Sequence, residues 1–307
     1  MEHILYKVSD DLFMVGLNPP IAGYESFLSA WIYVGDVTFL VDTGPSVTAG
    51  ALVKALESLG VSRLDYILLT HVHIDHAGAA GDLAVFFPET QVVCHSRGIP
   101  HLLNPHQLEL STAKVLGETA VQYGPVRPVS ESRLVPAESF MSNSVMPVPT
   151  PGHASHHVSY QTDRYLFTGE AAGACFPGVL GISYMRPSTP PPFYYDISLQ
   201  SLETLMELKP ERLCYGHYGS FEFGERVLWQ HREQLRLWDS IVTSEISRGQ
   251  VGADLELSVL KSILETDPLV LPFLDMEGPL RLRELFYLQN SIKGFVGNAS
   301  RHTGPLS

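Results

Sequence analysis

The chain has 307 residues, of which 45% are hydrophobic and 17% charged, and it carries a formal net charge of −13. This composition predicts a folded, soluble chain with one large domain and a smaller addition, and it excludes an intrinsically disordered protein. The acidic balance argues against a nucleic-acid partner, and no apolar run approaches the roughly 20 residues of a membrane span.

The first residues of the chain and its cysteines predict where in the cell the protein is located. The first seven residues contain neither a basic leader nor a long apolar core, so we expect no signal peptide. Cys94, Cys175 and Cys214 show no close paired spacing, and one of the three is left over in any disulfide scheme. A reducing, cytoplasmic location is therefore the simpler prediction.

The first part of the chain predicts strands and then a strand-helix-strand unit. Apolar patterning indicates strands within residues 4–15, 30–34 and 38–41, and the last two read as a hairpin. An amphipathic helix follows over Ala49–Leu59 and ends at Gly60, and Tyr66–Leu69 reads as a buried strand. Residues directly after this strand should lie at the carboxyl edge of a sheet, where open α/β sheets place their sites.

Four candidate metal ligands lie within six residues at that edge: His71, His73, Asp75 and His76. In extended chain His71 and His73 share a face, so both can point at one ion. Asp75 and His76 are predicted to begin a helix and to point at a second position nearby. Imidazoles and a carboxylate are the ligands of catalytic zinc or iron sites. The alternative is a polar strand-to-helix corner with solvated histidines.

Three further candidate ligands follow at predicted strand ends and turns. Pro151-Gly152 makes a tight corner that presents His153 on a short loop. The strand within residues 164–169 ends at Glu170, and the strand Arg212–Tyr215 is followed by Gly216-His217. From residue 224 the pattern changes to helices, at about 225–247, 255–265 and 279–295. We therefore divide the chain into a catalytic domain over 1–223 and a helical C-terminal region over 224–307.

These motifs, in this order, resemble those of the metallo-β-lactamase superfamily. The central signature is matched by Thr70-His71-x-His73-x-Asp75-His76, and around it stand Val41-Asp42-Thr43-Gly44, Pro151-Gly152-His153, Thr168-Gly169-Glu170 and Gly216-His217. The resemblance implies an α/β fold, the four-layer αββα sandwich of that family, here with a C-terminal helical extension. The residues after His153 and the helical tail are similar to the glyoxalase II-like branch.

The resemblance also implies two metal sites and a residue that supports them. It assigns His71, His73 and His153 to a first metal ion, Asp75, His76 and His217 to a second, and Glu170 to a bridging or capping position. Asp42 would orient a ligand histidine from behind, and we place Asp42 and Asp75 among the catalytic residues. The family normally has aspartate where this chain has Glu170, so bridging, chelation of one ion and a single bound metal all stay open.

A family member with this ligand set is expected to be a hydrolase. We expect a small-molecule substrate, a carboxylic ester, thioester or lactone, cleaved by a hydroxide bound to two divalent ions, most simply zinc, with iron or manganese also suited to the ligands. A phosphodiesterase of the same fold and a mononuclear iron sulfur dioxygenase are the alternatives. A non-enzymatic protein that keeps the fold but binds no metal is a third alternative.

Residues 171–196 and an early loop supply the candidate substrate contacts. Four prolines between residues 187 and 192 predict a rigid loop without regular strand or helix after Glu170. In this loop Arg186 is the candidate for an anionic substrate group, and Tyr194 for a pocket wall. Tyr24, in a loop between early strands, is a third candidate. A homodimer is left open.

Overall fold

A computed structural model describes residues 4–178 and 181–303 of the chain. Two β-sheets pack face to face, and helices cover the outer face of each sheet, which confirms the expected four-layer sandwich. None of the helices in these residues is long and apolar enough to cross a bilayer.

The first sheet contains seven strands in the order of the chain, antiparallel from β1 to β4 and parallel from β4 to β7. Its strands are β1 (Ile4–Lys7), β2 (Leu12–Leu17), β3 (Leu28–Val34), β4 (Thr38–Val41), β5 (Tyr66–Leu68), β6 (Gln91–Cys94) and β7 (Leu134–Pro136). The predicted hairpin and strand-helix-strand unit are confirmed, and β4 and β5 end next to each other.

The second sheet has the order β14-β13-β10-β9-β8, and β10 pairs with β13 in parallel. Its strands, with the separate hairpin β11-β12, are β8 (Met146–Pro149), β9 (Val158–Gln161), β10 (Tyr165–Gly169), β11 (Ala174–Gly178), β12 (Gly181–Arg186), β13 (Arg212–Tyr215) and β14 (Ser220–Glu222). The residues that follow β10 and β13 lie close to those that follow β5, across the space between the two sheets.

The helices are α1 (Ala49–Ser58), α2 (Ile74–Ala77), α3 (Ala80–Phe86), α4 (Ile99–Leu103), α5 (His106–Leu116), α6 (Glu118–Gln122), α7 (Tyr195–Glu207), α8 (Gly224–Ser247), α9 (Gly252–Thr266) and α10 (Gly278–Thr303). Consecutive strand residues point into different layers, as the two-residue period of a strand requires. Ile67 packs under the helices of the first sheet while Leu68 lies between the sheets; Phe167 lies between the sheets while Leu166 faces the helices of the second.

The helices after residue 224 share one hydrophobic core with the second sheet. Trp238 of α8 and Phe295 of α10 are fully buried in the cluster that contains Leu213 of β13. Helix α8 begins at Gly224, and the C-terminal helices pack beside α7 on this side of the sandwich. The division into two domains at 223/224 stays a prediction.

Residues 171–196 differ from the expected rigid loop. The segment begins with the hairpin β11-β12, and the extended proline-rich chain starts only at Pro187. The one proline inside the hairpin, Pro177, lies where the strand register shifts, a position that tolerates a residue without a backbone donor. Most of the prolines follow the hairpin and therefore do not prevent it.

Candidate metal centre

Strand ends of both sheets bring the predicted ligands to one edge of the sandwich. His71 and His73 follow β5, Glu170 follows β10, and His217 follows β13. The first turn of α2 presents Asp75 and His76, as the sequence predicted. The remaining predicted ligand, His153, lies in the turn between β8 and β9.

The first group of ligands consists of His71, His73, His153 and Glu170, whose ligand atoms all lie within 4.8 Å of one another. His73 Nδ1 is 3.0 Å from both His71 Nε2 and His153 Nε2. Glu170 Oε2 lies 2.9 Å from His153 Nε2 and 3.3 Å from His71 Nε2. These four atoms enclose a position that a single cation can occupy.

The second group consists of Asp75, His76 and His217, also within 4.8 Å of one another. The Nε2 atoms of His76 and His217 are 3.3 Å apart. Asp75 Oδ2 lies 3.7 Å from His217 Nε2 and 3.9 Å from His76 Nε2. The five histidines and Asp75 thus fall into the two groups that the resemblance implied, and Glu170 lies with the first group.

Glu170, which is one methylene longer than the usual aspartate, lies close to ligand atoms of both groups. Its Oε2 faces the first group and is 3.3 Å from His76 Nε2, while Oε1 is 3.2 Å from His217 Nε2. The Ser188 hydroxyl donates to Oε1, and the Glu170 amide donates to His157 Nε2 at 3.1 Å. Glu170 is therefore held in place at its backbone amide and at its side-chain carboxylate.

Hydrogen bonds on the outer side of the imidazoles fix which nitrogen faces inward. His76 Nδ1–H donates to Asp42 Oδ2 at 2.9 Å, and His153 Nδ1–H donates to the Ser188 carbonyl at 3.0 Å. The Thr70 hydroxyl donates to Asp42 and so accepts from His71 Nδ1–H at 3.1 Å. In its neutral form each of these rings therefore turns an unprotonated Nε2 toward the centre.

This donor set fits a divalent metal ion. The ring nitrogens of each group face each other at 3.0 to 3.3 Å, and in the neutral rings of His71, His76 and His153 the inward Nε2 offers a lone pair to a cation. Ligands about 2.0–2.1 Å from a tetrahedral zinc ion lie about 3.3 Å apart, close to the spacing found here. Outer carboxylates and carbonyls that hold the second ring nitrogen are the usual companions of metal-bound histidines.

Burial favours the neutral ligand form of the first group. Burial and the neighbouring His153 lower the pKa of His73 to about 3, and burial with the neighbouring His76 and His73 lowers the pKa of His71 well below its usual value. Although burial alone would raise it, the His153 and His217 imidazoles hold the pKa of Glu170 well below its usual value. Glu170 is therefore an ionised carboxylate, the form in which it can act as a metal ligand.

His76 differs because carboxylates surround it. Burial opposes its protonation, but the Asp75 and Asp42 carboxylates outweigh burial and raise the pKa of His76 well above its usual value. Carboxylates that raise the basicity of an imidazole also strengthen its bond to a metal.

A cavity of about 460 Å³ opens above the two groups of ligands. His73, Asp75, His153, Glu170 and His217 lie at its base. Its walls come from α5, from the proline-rich chain with the beginning of α7, and from α10. Helix α10 of the C-terminal region therefore forms part of the cavity wall.

The structure corrects the expected positions of Arg186 and Tyr24. Arg186 is 1% exposed, and its Nε donates to Glu284 Oε2 at 2.6 Å, so its charge is neutralised behind the cavity wall. Tyr24 is also buried and packs edge-on against Phe27, outside the cavity lining. Tyr194 does line the cavity and is 47% exposed, and its substrate contact stays a prediction.

Sequence reasoning did not identify the supporting role of Ser188. Its hydroxyl contacts Glu170 and its carbonyl contacts His153, yet a serine among prolines has no recognisable pattern. His157 lies behind the ligands. It accepts from the Glu170 amide and pairs with the Thr150 hydroxyl at 2.9 Å.

Known proteins share this fold and these motifs. The model of the metallo-β-lactamase superfamily matches residues 26–217, which include most strands of both sheets and all seven ligands. The chain belongs to the metallo-β-lactamase superfamily. Among its relatives, the metallo-β-lactamase fold-containing protein ST1585 of Sulfurisphaera tokodaii is 31% identical over 261 residues, 78% of this chain and 95% of that protein.

Other superfamily members extend the comparison. A hydroxyacylglutathione hydrolase of Acidiphilium cryptum is 31% identical over 194 residues, 61% of this chain and 63% of that protein. The crystal structure of ST1585 superposes with a TM-score of 0.67 at 24% identity and covers 94% of this chain and 98% of its own, which shows the same fold. As a member of this superfamily the chain is a hydrolase, and the superfamily binds divalent metal ions.

Proposed function

We propose that the chain hydrolyses a small carboxylic ester, thioester or lactone with two divalent ions, zinc in the simplest case. The observation that carries the proposal is the pair of ligand groups, joined by Glu170, at the base of one open cavity. Several relatives are named as metallo-hydrolases and two as hydroxyacylglutathione hydrolases, which supports acyl transfer to water.

Each ligand group has a defined task in this proposal. His71, His73, His153 and Glu170 would hold one ion, and Asp75, His76 and His217 the other. Bound ions of this kind lower the pKa of water to about 7 and polarise a carbonyl oxygen. Asp42, Thr70 and Ser188 keep the ligand side chains oriented.

Asp75 is the ligand best placed to handle a proton. Its carboxylate lies at the base of the cavity, where a substrate would stand, and its side chain remains 11% exposed. Hydrolysis adds water across the acyl carbon–oxygen or carbon–sulfur bond and yields a carboxylate, a proton and an alcohol or thiol. In the proposal Asp75 accepts the proton of the attacking water and returns it to the leaving group.

The surroundings of the centre favour a carbonyl substrate over a phosphodiester. A phosphodiester retains a negative charge that a cationic side chain normally meets. Arg186 was the candidate for that contact, and its guanidinium is instead fully buried against Glu284. A neutral carbonyl group needs no such partner.

An assay panel tests the proposal. The protein is offered p-nitrophenyl acetate, an S-acetyl thioester, a δ-lactone and bis-p-nitrophenyl phosphate, in parallel with the His73→Ala variant. We expect turnover of at least one acyl substrate, and loss to background in the variant because a ligand of the first group is gone. His106→Ala, an exposed histidine at the start of α5, serves as the control. Turnover of the phosphodiester alone would contradict the proposal.

A further inference from the structure

The cavity walls that face away from the ligands are predominantly apolar, with a smaller polar share from side chains such as Asn290 of α10. Leu108, Val115 and Leu116 project from α5 on one side, and Phe286 of α10 with Ile197 of α7 stand on the other. Residues 190–192, all proline, close the space between α7 and α10. A volume of about 460 Å³ is within the range of roughly 300–1,000 Å³ typical of pockets for small organic ligands.

The mouth of the cavity exposes large apolar side chains to water. Val115 is 57% exposed, Tyr194 47%, Ile197 41% and Phe286 37%. These four side chains come from three separate parts of the chain and line one cavity. They are therefore brought together by the fold and not by their closeness in sequence. Contiguous exposed apolar surface of this kind marks a place where an apolar ligand is bound.

Cationic side chains do not line this cavity. Within residues 4–178 and 181–303 its lining contains neither lysine nor arginine. Two arginines close to its lining are engaged: Arg186 pairs with Glu284, and the exposed Arg301 donates to the Phe193 carbonyl and lies 4.5 Å from the centre of the Tyr194 ring. A carboxylate placed against the apolar walls would lose hydration without gaining a lysine or arginine partner.

We propose that the acyl group of the substrate is an uncharged aliphatic chain that lies along α5 and Phe286, with its carbonyl at the metal centre. This inference rests on the proposed function and specifies its substrate class. The walls then bind the chain by burying methylene groups, and they disfavour acyl groups that end in a carboxylate.

A matched series of thioesters tests the inference. The substrates are the acetyl, butyryl, hexanoyl and adipoyl thioesters of N-acetylcysteamine, of which the last two have equal carbon numbers and differ by a terminal carboxylate. We expect kcat/KM to rise roughly fourfold for each methylene buried, and the adipoyl thioester to fall at least about tenfold below the hexanoyl thioester. A flat series, or equal rates for the last two, would overturn the inference.

A pair of variants places the effect on the cavity wall. Val115→Lys puts a cation on α5 at the cavity mouth and should lower the ratio of hexanoyl to adipoyl turnover at least about tenfold. Val121→Lys, on α6, is the control because Val121 is 77% exposed and lies outside the cavity lining. Ratios that stay unchanged in both variants, or change equally in both, would contradict binding along α5.

Binding without turnover separates this inference from the proposed hydrolysis. Normal alcohols from butanol to octanol are titrated into the metal-loaded protein by calorimetry, and we expect Kd to fall roughly fourfold per methylene. A falling Kd without cleavage of any ester, thioester or lactone would refute the hydrolytic proposal while leaving an apolar ligand site. A Kd independent of chain length would refute the apolar site even if short thioesters are cleaved.

Discussion

At the scale of single residues, Asp42 fixes the orientation of a ligand through one carboxylate. It accepts from the Thr70 amide and hydroxyl and from His76 Nδ1. In Asp42→Asn an amide N–H₂ can face His76 and force its proton onto Nε2, which blocks the ligand atom. We expect metal affinity to fall about 10–100-fold, measured by competition with a chelator. Asp36→Asn, at an exposed site, should leave the affinity unchanged, and an unchanged affinity in Asp42→Asn would contradict this role.

Glu170 is the position where this chain departs from its family. Its two oxygens face different ligand groups, and Glu170→Asp withdraws the carboxylate by about 1.5 Å. We expect one of the two ions to dissociate more readily, seen as a second, weaker phase in a chelator titration. The control is Glu211→Asp, in an exposed ion pair with Arg164. An unaltered titration of Glu170→Asp would mean that Glu170 does not contact metal.

Most of the ligand set could be predicted from the sequence because spacing and strand ends place it. His71, His73, Asp75 and His76 are local neighbours, so their convergence depends on a few residues of backbone. Arg186 could not be placed in this way, since its partner Glu284 is 98 positions distant and charge alone does not reveal a buried ion pair. Ser188 was missed for a similar reason, because it acts through contacts that only the folded chain creates.

At the scale of elements, α10 approaches the proline-rich chain closely at Gly294. A Cβ added there would lie 1.8 Å from the Thr189 carbonyl oxygen. Gly294→Ala should therefore separate α10 from this wall of the cavity and lower the free energy of unfolding by about 1–3 kcal/mol or more, measured by urea denaturation.

The same helix offers a matched control. A Cβ added at Gly297 would have no heavy atom within 4 Å, so Gly297→Ala should stabilise the protein by about 0.5–1 kcal/mol through helix propensity alone. Equal effects of the two substitutions would show that α10 does not pack against the proline-rich chain as described.

Elements whose apolar residues repeat with a regular period were predicted well. Elements that depend on contacts between distant parts of the chain were not. The C-terminal helices were located because their apolar residues repeat over many turns, as in α8 (Gly224–Ser247). The hairpin β11-β12 was missed because the prolines that follow it dominated the composition of residues 171–196. Its strands pair only with each other, and Met185 contacts the Leu269 carbonyl after a long intervening stretch of chain.

At the scale of the whole molecule, a buried histidine links stability to pH where α8 packs on the hairpin. Burial lowers the pKa of His231 to about 4, and the residue contacts Gln234, which donates to Met185 and Asp267. Between pH of about 6.5 and 4 the unfolded chain binds a proton at this site that the folded chain does not. Stability is therefore complete above that window and falls as pH falls through it.

A variant isolates this contribution. In His231→Gln the loss of unfolding free energy between pH 7 and 4 should be about 3 kcal/mol smaller than in the wild type. Asp267 is present in both proteins, so its own titration cancels in the difference. His106→Gln, at an exposed site, should follow the wild type. Parallel pH profiles of wild type and His231→Gln, measured by urea denaturation, would contradict a buried neutral His231.

The central claim is that seven side chains from both halves of the sandwich hold two divalent ions above which a carbonyl is attacked by water. Metal quantitation by mass spectrometry on the purified, dialysed protein tests it most directly. We predict two equivalents of divalent metal per chain, falling to one or fewer in His73→Ala and in His217→Ala while the fold is retained. Protein that binds no divalent metal after reconstitution, or a single iron that remains in His217→Ala, would contradict the account.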